Sequence, residues 1–367
     1  MINQVPFPVI SIEGDAYERG YQYGSQCEKL IEEALGIYRR IFKAESNLDW
    51  ESALELARKF TSFIEEYDPS SMEEMRGIAE GAEQSFDNIL ALNVRTELML
   101  LGGTGGIEEC TTLAATPEAT LSGHMLVAQN WDMKPAAAKV TVMLKEKQKN
   151  GPNIIQIVEA GIVGKMGFNS AGVCVLANIM VSDGWHLGVP MQIILRKIMS
   201  QESLVDAMGA VLTAKRGSSG NYLIGYSGGE GSEAVDIETA PDYYNVIWPN
   251  SGIIAHANHF SVTNSNIKDL LPPLDPGSLN RERRATKLLT KECGHIDMDV
   301  MKKVLRDHFD KKGPGSICCH IDPHLDEALQ WLTNASFVID LNKKTMDVAK
   351  GPPCENEYVT LNFEDIM

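Results

Sequence analysis

The hydrophobic period of this chain changes at Cys110, and that change restricts what it can fold into. Upstream, apolar residues repeat at helical spacing: Leu30, Ile31, Leu35, Ile37 and Ile41 fall inside a helix predicted over residues 15–43. Three more helices are predicted over 49–67, 70–85 and 86–101, with Ser70 and Glu73 reading as a capping box. A glycine run, Gly102-Gly103-Thr104-Gly105-Gly106, ends this half. Downstream, short runs of strand character dominate, at 111–115, 125–130, 140–144, 154–158 and 173–177. Two helices follow at 190–200 and 204–214, then strands at 222–226, 234–237, 244–247 and 253–256. Helices at 281–290 and 298–309 precede closing strands at 335–341, 346–348 and 358–361. Strand runs separated by helix pairs predict an α+β protein with sheets covered by helices.

Charge and cysteine usage narrow the function. A net charge of −17 argues against non-specific binding to nucleic acid or an anionic membrane, which need basic surface. No apolar run approaches the roughly 20 residues of a membrane span, and the first residues do not read as a secretory signal. The seven cysteines are scattered with no Cys-x-x-Cys pair, which predicts reduced thiols and a cytoplasmic protein.

Cys110 is the residue on which chemistry is expected. It opens a β-type run directly after the glycine loop and Glu109. A free thiol, with a pKa of about 8.5, is only partly ionised at neutral pH, and an α-amine of pKa about 7.7–8.0 is a suitable proton acceptor. Cutting the Glu109–Cys110 bond would put both groups on one residue, a nucleophile carrying its own base. An N-to-S acyl shift followed by hydrolysis is a route to that cut. The competing reading is a buried structural cysteine beside an ordinary loop.

Several segments bear on that choice. Cys110-Thr111-Thr112, Gly123 and Gln129-Asn130-Trp131-Asp132 are followed by His256-Ala257-Asn258-His259-Phe260. Then come Ser278-Leu279-Asn280-Arg281 with Arg284, Ser316-Ile317-Cys318-Cys319-His320, Ala335–Asp340 and Gly351–Glu355. In order and content these resemble the acyl-coenzyme A:6-aminopenicillanic acid acyltransferase family of self-cleaving N-terminal-nucleophile hydrolases. The resemblance implies a four-layer αββα sandwich in one domain, split into an α-chain of residues 1–109 and a β-chain of residues 110–367. It implies that Cys110 is both the autoproteolytic and the catalytic nucleophile, that Asp132 supports it by holding the new α-amine, and that Asn258 is an oxyanion donor. It implies no metal or other cofactor. The partners it implies are a small amide substrate, an acyl-coenzyme A donor where acyl transfer operates, and the two fragments of one precursor, with a homo-oligomer allowed. Two features depart from the family: Glu109 stands where the fungal penicillin enzyme has glycine, and residues 329–334 hold no arginine before the last long strand. The latter favours hydrolysis of a small N-acyl amide over penicillin acyl transfer. The rival readings are an uncleaved or non-catalytic homologue, favoured by Glu109, and a conventional Cys–His hydrolase using His256 or His259.

Two other runs read as structural. Cys318-Cys319-His320 lacks the spacing of a zinc motif, and adjacent cysteines in an extended segment face opposite ways. The glycines from Gly225 to Gly231 lack the lysine of a phosphate loop and read as a turn between strands.

Overall fold

The helical half forms as its period predicts, but the helices predicted over 49–67 and 86–101 each divide in two. A computed structural model describes residues 5–101, 110–229, 231–263, 266–309, 311–325 and 330–363. Its first elements are β1 (Val9–Gly14), α1 (Ala16–Ser46), α2 (Trp50–Arg58), α3 (Thr61–Tyr67), α4 (Pro69–Gly81), α5 (Phe86–Asn93) and α6 (Arg95–Leu100). The predicted helix over 86–101 divides at Asn93. Its side-chain amide donates to Gly161 O and accepts from Val163 N, both at 2.9 Å, so the backbone bends to serve a neighbouring loop. The capping box predicted at Ser70 is not there. Pro69 takes the first helical position and Ser71 bonds Asp68 instead, since proline opens a helix without an N–H to cap. The capping box sits at Asp15 and Glu18, at the head of α1.

Helices α1 and α4 meet through glycines. A Cβ at Gly20 would lie 2.1 Å from Glu74 O, and one at Gly77 would lie 2.3 Å from Tyr17 O. The two backbones are therefore in contact, and no other residue fits between them. Beside this contact lies a buried ion-pair network. Glu74 of α4 takes Arg19 at 2.9 Å and Arg196 at 2.8 Å, and Arg196 also reaches a glutamate, Glu146, at 2.6 Å. Buried charges of this kind persist only when paired.

The second half contains β2 (Cys110–Ala115), β3 (Leu126–Met133), β4 (Thr141–Gln148), β5 (Ile154–Glu159), β6 (Met166–Asn169) and β7 (Val173–Ile179). Then come α7 (Met191–Met199), α8 (Leu204–Thr213), β8 (Gly220–Gly228), β9 (Gly231–Ala240), β10 (Tyr243–Ile247) and β11 (Ile253–His256). The chain closes with α9 (Gly277–Lys291), α10 (Met298–Leu305), β12 (Leu332–Asp340), β13 (Thr345–Lys350) and β14 (Val359–Asn362). One sheet has the order β1-β4-β5-β6-β7-β8-β9-β10 and the other β11-β2-β3-β12-β13-β14. The pairings are antiparallel except β1 with β4.

Strands β2 and β3 are buried along their whole length, so both faces are covered. The face of Leu113 and Ala115 packs with Ala285, Leu289 and Met301 of α9 and α10. The face of Cys110, Thr112 and Ala114 looks toward the eight-stranded sheet: Asn178 of β7 donates to Thr112 Oγ1 at 2.9 Å, and Gln129 donates to Ala177 O at 2.8 Å. Among the described residues no helix is long and apolar enough to cross a membrane.

The helix contact makes a signed prediction. Gly77→Ala forces two backbones apart and should lower unfolding stability by about 1–3 kcal/mol. Gly36→Ala, where the nearest atom to a Cβ is a side-chain nitrogen at 3.9 Å, should be neutral or raise stability by up to about 1 kcal/mol. Urea denaturation of both variants checks this; equal midpoints would contradict the close approach.

Candidate active site

Cys110 is the first residue of β2 and is only 2% exposed. Its neighbour in the sheet is β11, where His256 pairs with Thr112. Antiparallel register then carries the chain two residues on, to Asn258, alongside Cys110. The Cys110 N–H donates to Asn258 Oδ1 at 2.8 Å. Both terminal nitrogens of Arg281 donate to the same oxygen, each at 3.1 Å. Three donors on one atom identify it as the amide oxygen. The amide nitrogen of Asn258 donates to Ile179 O at 2.9 Å, tying the group to the opposite sheet.

Arg281 is fully buried on α9. Besides Asn258 it donates to Cys110 O, to Thr111 Oγ1 at 3.2 Å and to Asp275 at 3.1 Å. Ser278 lies one turn earlier on the same helix face, and its hydroxyl accepts the Asn258 N–H at 2.8 Å. The helix start thus grips Asn258 at both its backbone and its side chain. The Ser-x-x-Arg spacing carried this in the sequence, although it did not say what the pair would hold.

Asp132 is buried on β3, opposite Thr333 in the register, and accepts the Thr333 hydroxyl. The residue opposite Cys110 is Trp131. Side chains of directly paired residues share a face, so the Asp132 carboxylate leaves β3 on the face away from the Cys110 thiol. The backbone nitrogen of Cys110 lies within the sheet between these faces. Glu109 and the glycine loop lie outside the described residues.

A file of buried polar groups links β2 to the other sheet. Beyond Thr112, Asn178 donates to Asn221 at 2.8 Å, and Asn221 donates to Asp236. Burial pushes the Asp236 carboxyl up, to about 6. His256 is nearby. Burial alone would push its imidazole down, but Asp236 and Glu238 outweigh that and hold it up, at about 10. Its Nε2 faces Glu238 Oε1 at 2.9 Å and its Nδ1 faces Ala257 O at 2.8 Å. In the imidazolium form both nitrogens donate, which suits two acceptors. His259 is engaged too, with Ser278 Oγ at 2.9 Å and Glu282 at 3.1 Å. Both rings therefore have other partners than the Cys110 thiol, and the two carboxylates beside His256 favour its protonated form.

A cleft of about 220 Å³ lies where Met180 follows Ile179. Its wall is mainly apolar, with Leu100, Leu101, Val181, Trp185 and Leu270, and includes Ser182, Ser218 and Ser219. The Trp185 indole N–H has no hydrogen-bond partner among the described residues.

Comparison with known proteins adds to this geometry. A family model for acyl-coenzyme A:6-aminopenicillanic acid acyl-transferase matches residues 119–351, a span holding Asp132, Asn258 and Arg281 that begins after Cys110. The 40 kDa form of acyl-coenzyme A:6-aminopenicillanic-acid-acyltransferase from Emericella nidulans is 30% identical over 284 residues, 77% of this chain and 77% of that one. Among solved structures, a Caenorhabditis elegans ortholog of N-acylethanolamine-hydrolyzing acid amidase superposes with a TM-score of 0.45 at 16% identity, over 63% of this chain and 93% of that one. Penicillin V acylase from Agrobacterium tumefaciens gives 0.38 at 11%, over 66% and 83%.

The charge state of His256 is directly measurable. A histidine raised from 6.5 to about 10 contributes stability that is complete below pH 6.5 and is lost as pH rises through about 10. Nitrogen-15 NMR should show the His256 ring as imidazolium at pH 8, and His256→Gln should remove the corresponding alkaline loss of Tm. A neutral His256 ring at pH 7.5 would overturn the assignment.

Proposed function

This chain belongs to the acyl-coenzyme A:6-aminopenicillanic acid acyl-transferase family, and from that premise we propose that it is a self-processing amidohydrolase or acyltransferase working through an acyl-thioester on Cys110. The observation that carries the reading is the hydrogen bond from the Cys110 backbone nitrogen to Asn258 Oδ1. A backbone nitrogen inside a strand ordinarily bonds another strand. Here it is held by a side chain that Arg281 and Ser278 fix in place. If the preceding peptide bond is cut, the same acceptor orients the new α-amine beside its own thiol.

In the proposed reaction the α-amine takes the thiol proton and the thiolate attacks the amide carbonyl. Asn258, through Nδ2, and a backbone N–H hold the oxyanion. The C–N bond breaks, and the leaving amine receives the proton from the Cys110 α-ammonium. Water or a second amine then attacks the thioester, releases the acyl group and returns the thiol. Asp132, anchored by Thr333, supports the strand end that carries the new amine. The fragments 1–109 and 110–367 stay together because α1 to α6 and the sheets share one core. We take the layers to follow a four-layer helix–sheet–sheet–helix order, with α9 and α10 outside one sheet.

The substrate class follows from the cleft beside Ile179. Apolar walls with a few hydroxyls suit an acyl chain with a polar end. A small N-acyl amide is the preferred substrate, with acyl-coenzyme A as donor where transfer occurs, and the scattered reduced cysteines agree with a cytoplasmic location.

Intact-mass analysis of purified protein should find two fragments, the larger beginning Cys110-Thr111-Thr112, and Cys110→Ala should give one inert chain. An unprocessed wild type that turns over substrate, or turnover by Cys110→Ala, would rule the mechanism out. Asn258→Ala should lower kcat by about 10²–10³ in protein already processed; a near-normal rate removes Asn258 from the oxyanion site. A panel of N-acyl amines, β-alanyl amines, penicillins and acyl-coenzyme A donors would identify the substrate.

A further inference from the structure

The run at Cys318 that reads as structural in the sequence has company in the folded chain. His308 follows α10, Cys318 and His320 lie in the loop beyond it, and Cys354 follows β13. One ligand atom from each of these four residues lies within 4.8 Å of the other three. We propose that His308, Cys318, His320 and Cys354 form a structural site for one soft divalent cation of the zinc type.

The distances carry the proposal. His320 Nε2 stands 3.1 Å from His308 Nε2, 3.4 Å from Cys318 Sγ and 3.2 Å from Cys354 Sγ. A single ring nitrogen has either one proton or one lone pair, so it cannot make good hydrogen bonds with all three. Four ligands around one ion solve this. Bond lengths of about 2.0–2.1 Å for nitrogen and 2.3 Å for sulfur place tetrahedral nitrogen–nitrogen edges at about 3.3 Å and nitrogen–sulfur edges at about 3.6 Å. The three separations from His320 sit just inside those edges, and the remaining ligand atoms lie within 4.8 Å of one another, close enough for one ion to gather all four.

The chemistry of the set agrees. Two thiolates and two neutral imidazoles cancel the charge of a divalent ion and match the Cys2His2 donor set of structural zinc. On binding, the two thiols lose their protons to solvent and two sulfur–metal and two nitrogen–metal bonds form, with no redox change. His320 Nδ1 faces Glu355 Oε1 at 3.8 Å, on the side where a carboxylate orients a metal-held imidazole. Lys312 pairs with that same glutamate, so its ammonium is compensated.

The site would join the loop after α10 to the end of β13. Between Cys318 and His320, Cys319 is bonded both ways to Thr333: its N–H donates to Thr333 Oγ1 at 3.0 Å, and Thr333 N donates to Cys319 O at 3.2 Å. Thr333 in turn holds Asp132. The ion would therefore brace the support of Asp132 and take no part in the chemistry at Cys110.

Cobalt(II) is a suitable probe, because tetrahedral thiolate coordination gives intense charge-transfer and visible bands. The full chain, purified under reducing conditions and stripped with chelator, should bind one equivalent of cobalt with such bands, and zinc should displace it. Cys354→Ser, at an exposed position, should halve the charge-transfer intensity and weaken binding more than the roughly 10–100-fold typical of losing an outer-shell partner. Cys318→Ser with Cys354→Ser should abolish the bands, while Cys293→Ser should leave them intact. Absence of stoichiometric uptake by the wild type, unchanged bands in Cys354→Ser, or a Cys318–Cys354 disulfide in freshly purified protein would each overturn the site.

Discussion

One oxygen atom organises the candidate site. Asn258 Oδ1 receives the Cys110 N–H and two N–H groups of Arg281, and the elements around it are placed by what those donors require. Strand β11 pairs with β2 so that Asn258 arrives beside Cys110. Helix α9 starts where it does so that Ser278 and Arg281 reach that residue from one face. The guanidinium is wholly buried, and a buried cation is tolerable only where it is paired and hydrogen-bonded. Asp275 supplies the opposite charge, and the Cys110 carbonyl, Thr111 and Asn258 supply further acceptors. Removing a neutral acceptor would leave guanidinium N–H groups short of partners inside the protein, so the position of Cys110 is held by the needs of Arg281 as well as by sheet pairing.

Beside Cys110 the space between the sheets is polar for a related reason. Thr112, Asn178, Asn221 and Asp236 form a hydrogen-bonded file from β2 across β7 and β8 to β9. His256 and Glu238 close it from the β11 side. An ordinary interface between sheets would be filled with Val and Leu. A polar file costs desolvation, and it repays that cost only in a unique arrangement of partners. The outcome is a fixed environment beside Cys110, with two carboxylates that favour the charged form of His256.

Much of this was legible in the sequence, in proportion to how local the signal was. Long periodic runs such as α1 and the β2 and β3 strands follow directly from hydrophobic spacing, and Cys110 and Asn258 stand in segments whose order could be recognised. Strand β6 was not legible, because Met166–Asn169 is short and contains a glycine demanded by Ile155 O, 2.2 Å from where a Cβ would sit. Strand β1 was missed because six residues with two buried apolar positions give little period. The break at Asn93 and the glycine contact of α1 with α4 depend on partners remote in the chain. The same holds for the His308, Cys318, His320 and Cys354 group. Only Cys318 and His320 are close in sequence, and the other two ligands come from the end of α10 and the turn after β13. For Asp132, the run Asn130-Trp131-Asp132 falls on the strand beside Cys110, but strand alternation puts Trp131 on the face of the Cys110 side chain and Asp132 on the other.

The central claim is that the Cys110 thiol carries the acyl group. The most direct measurement is rapid acid quenching of the processed protein during turnover of an N-acyl amide, followed by peptide mapping. The account predicts a mass increase equal to the acyl group on the peptide beginning Cys110-Thr111-Thr112, labile to hydroxylamine as a thioester is. Full turnover with no adduct trapped on that peptide, or an adduct on a different cysteine, would contradict it.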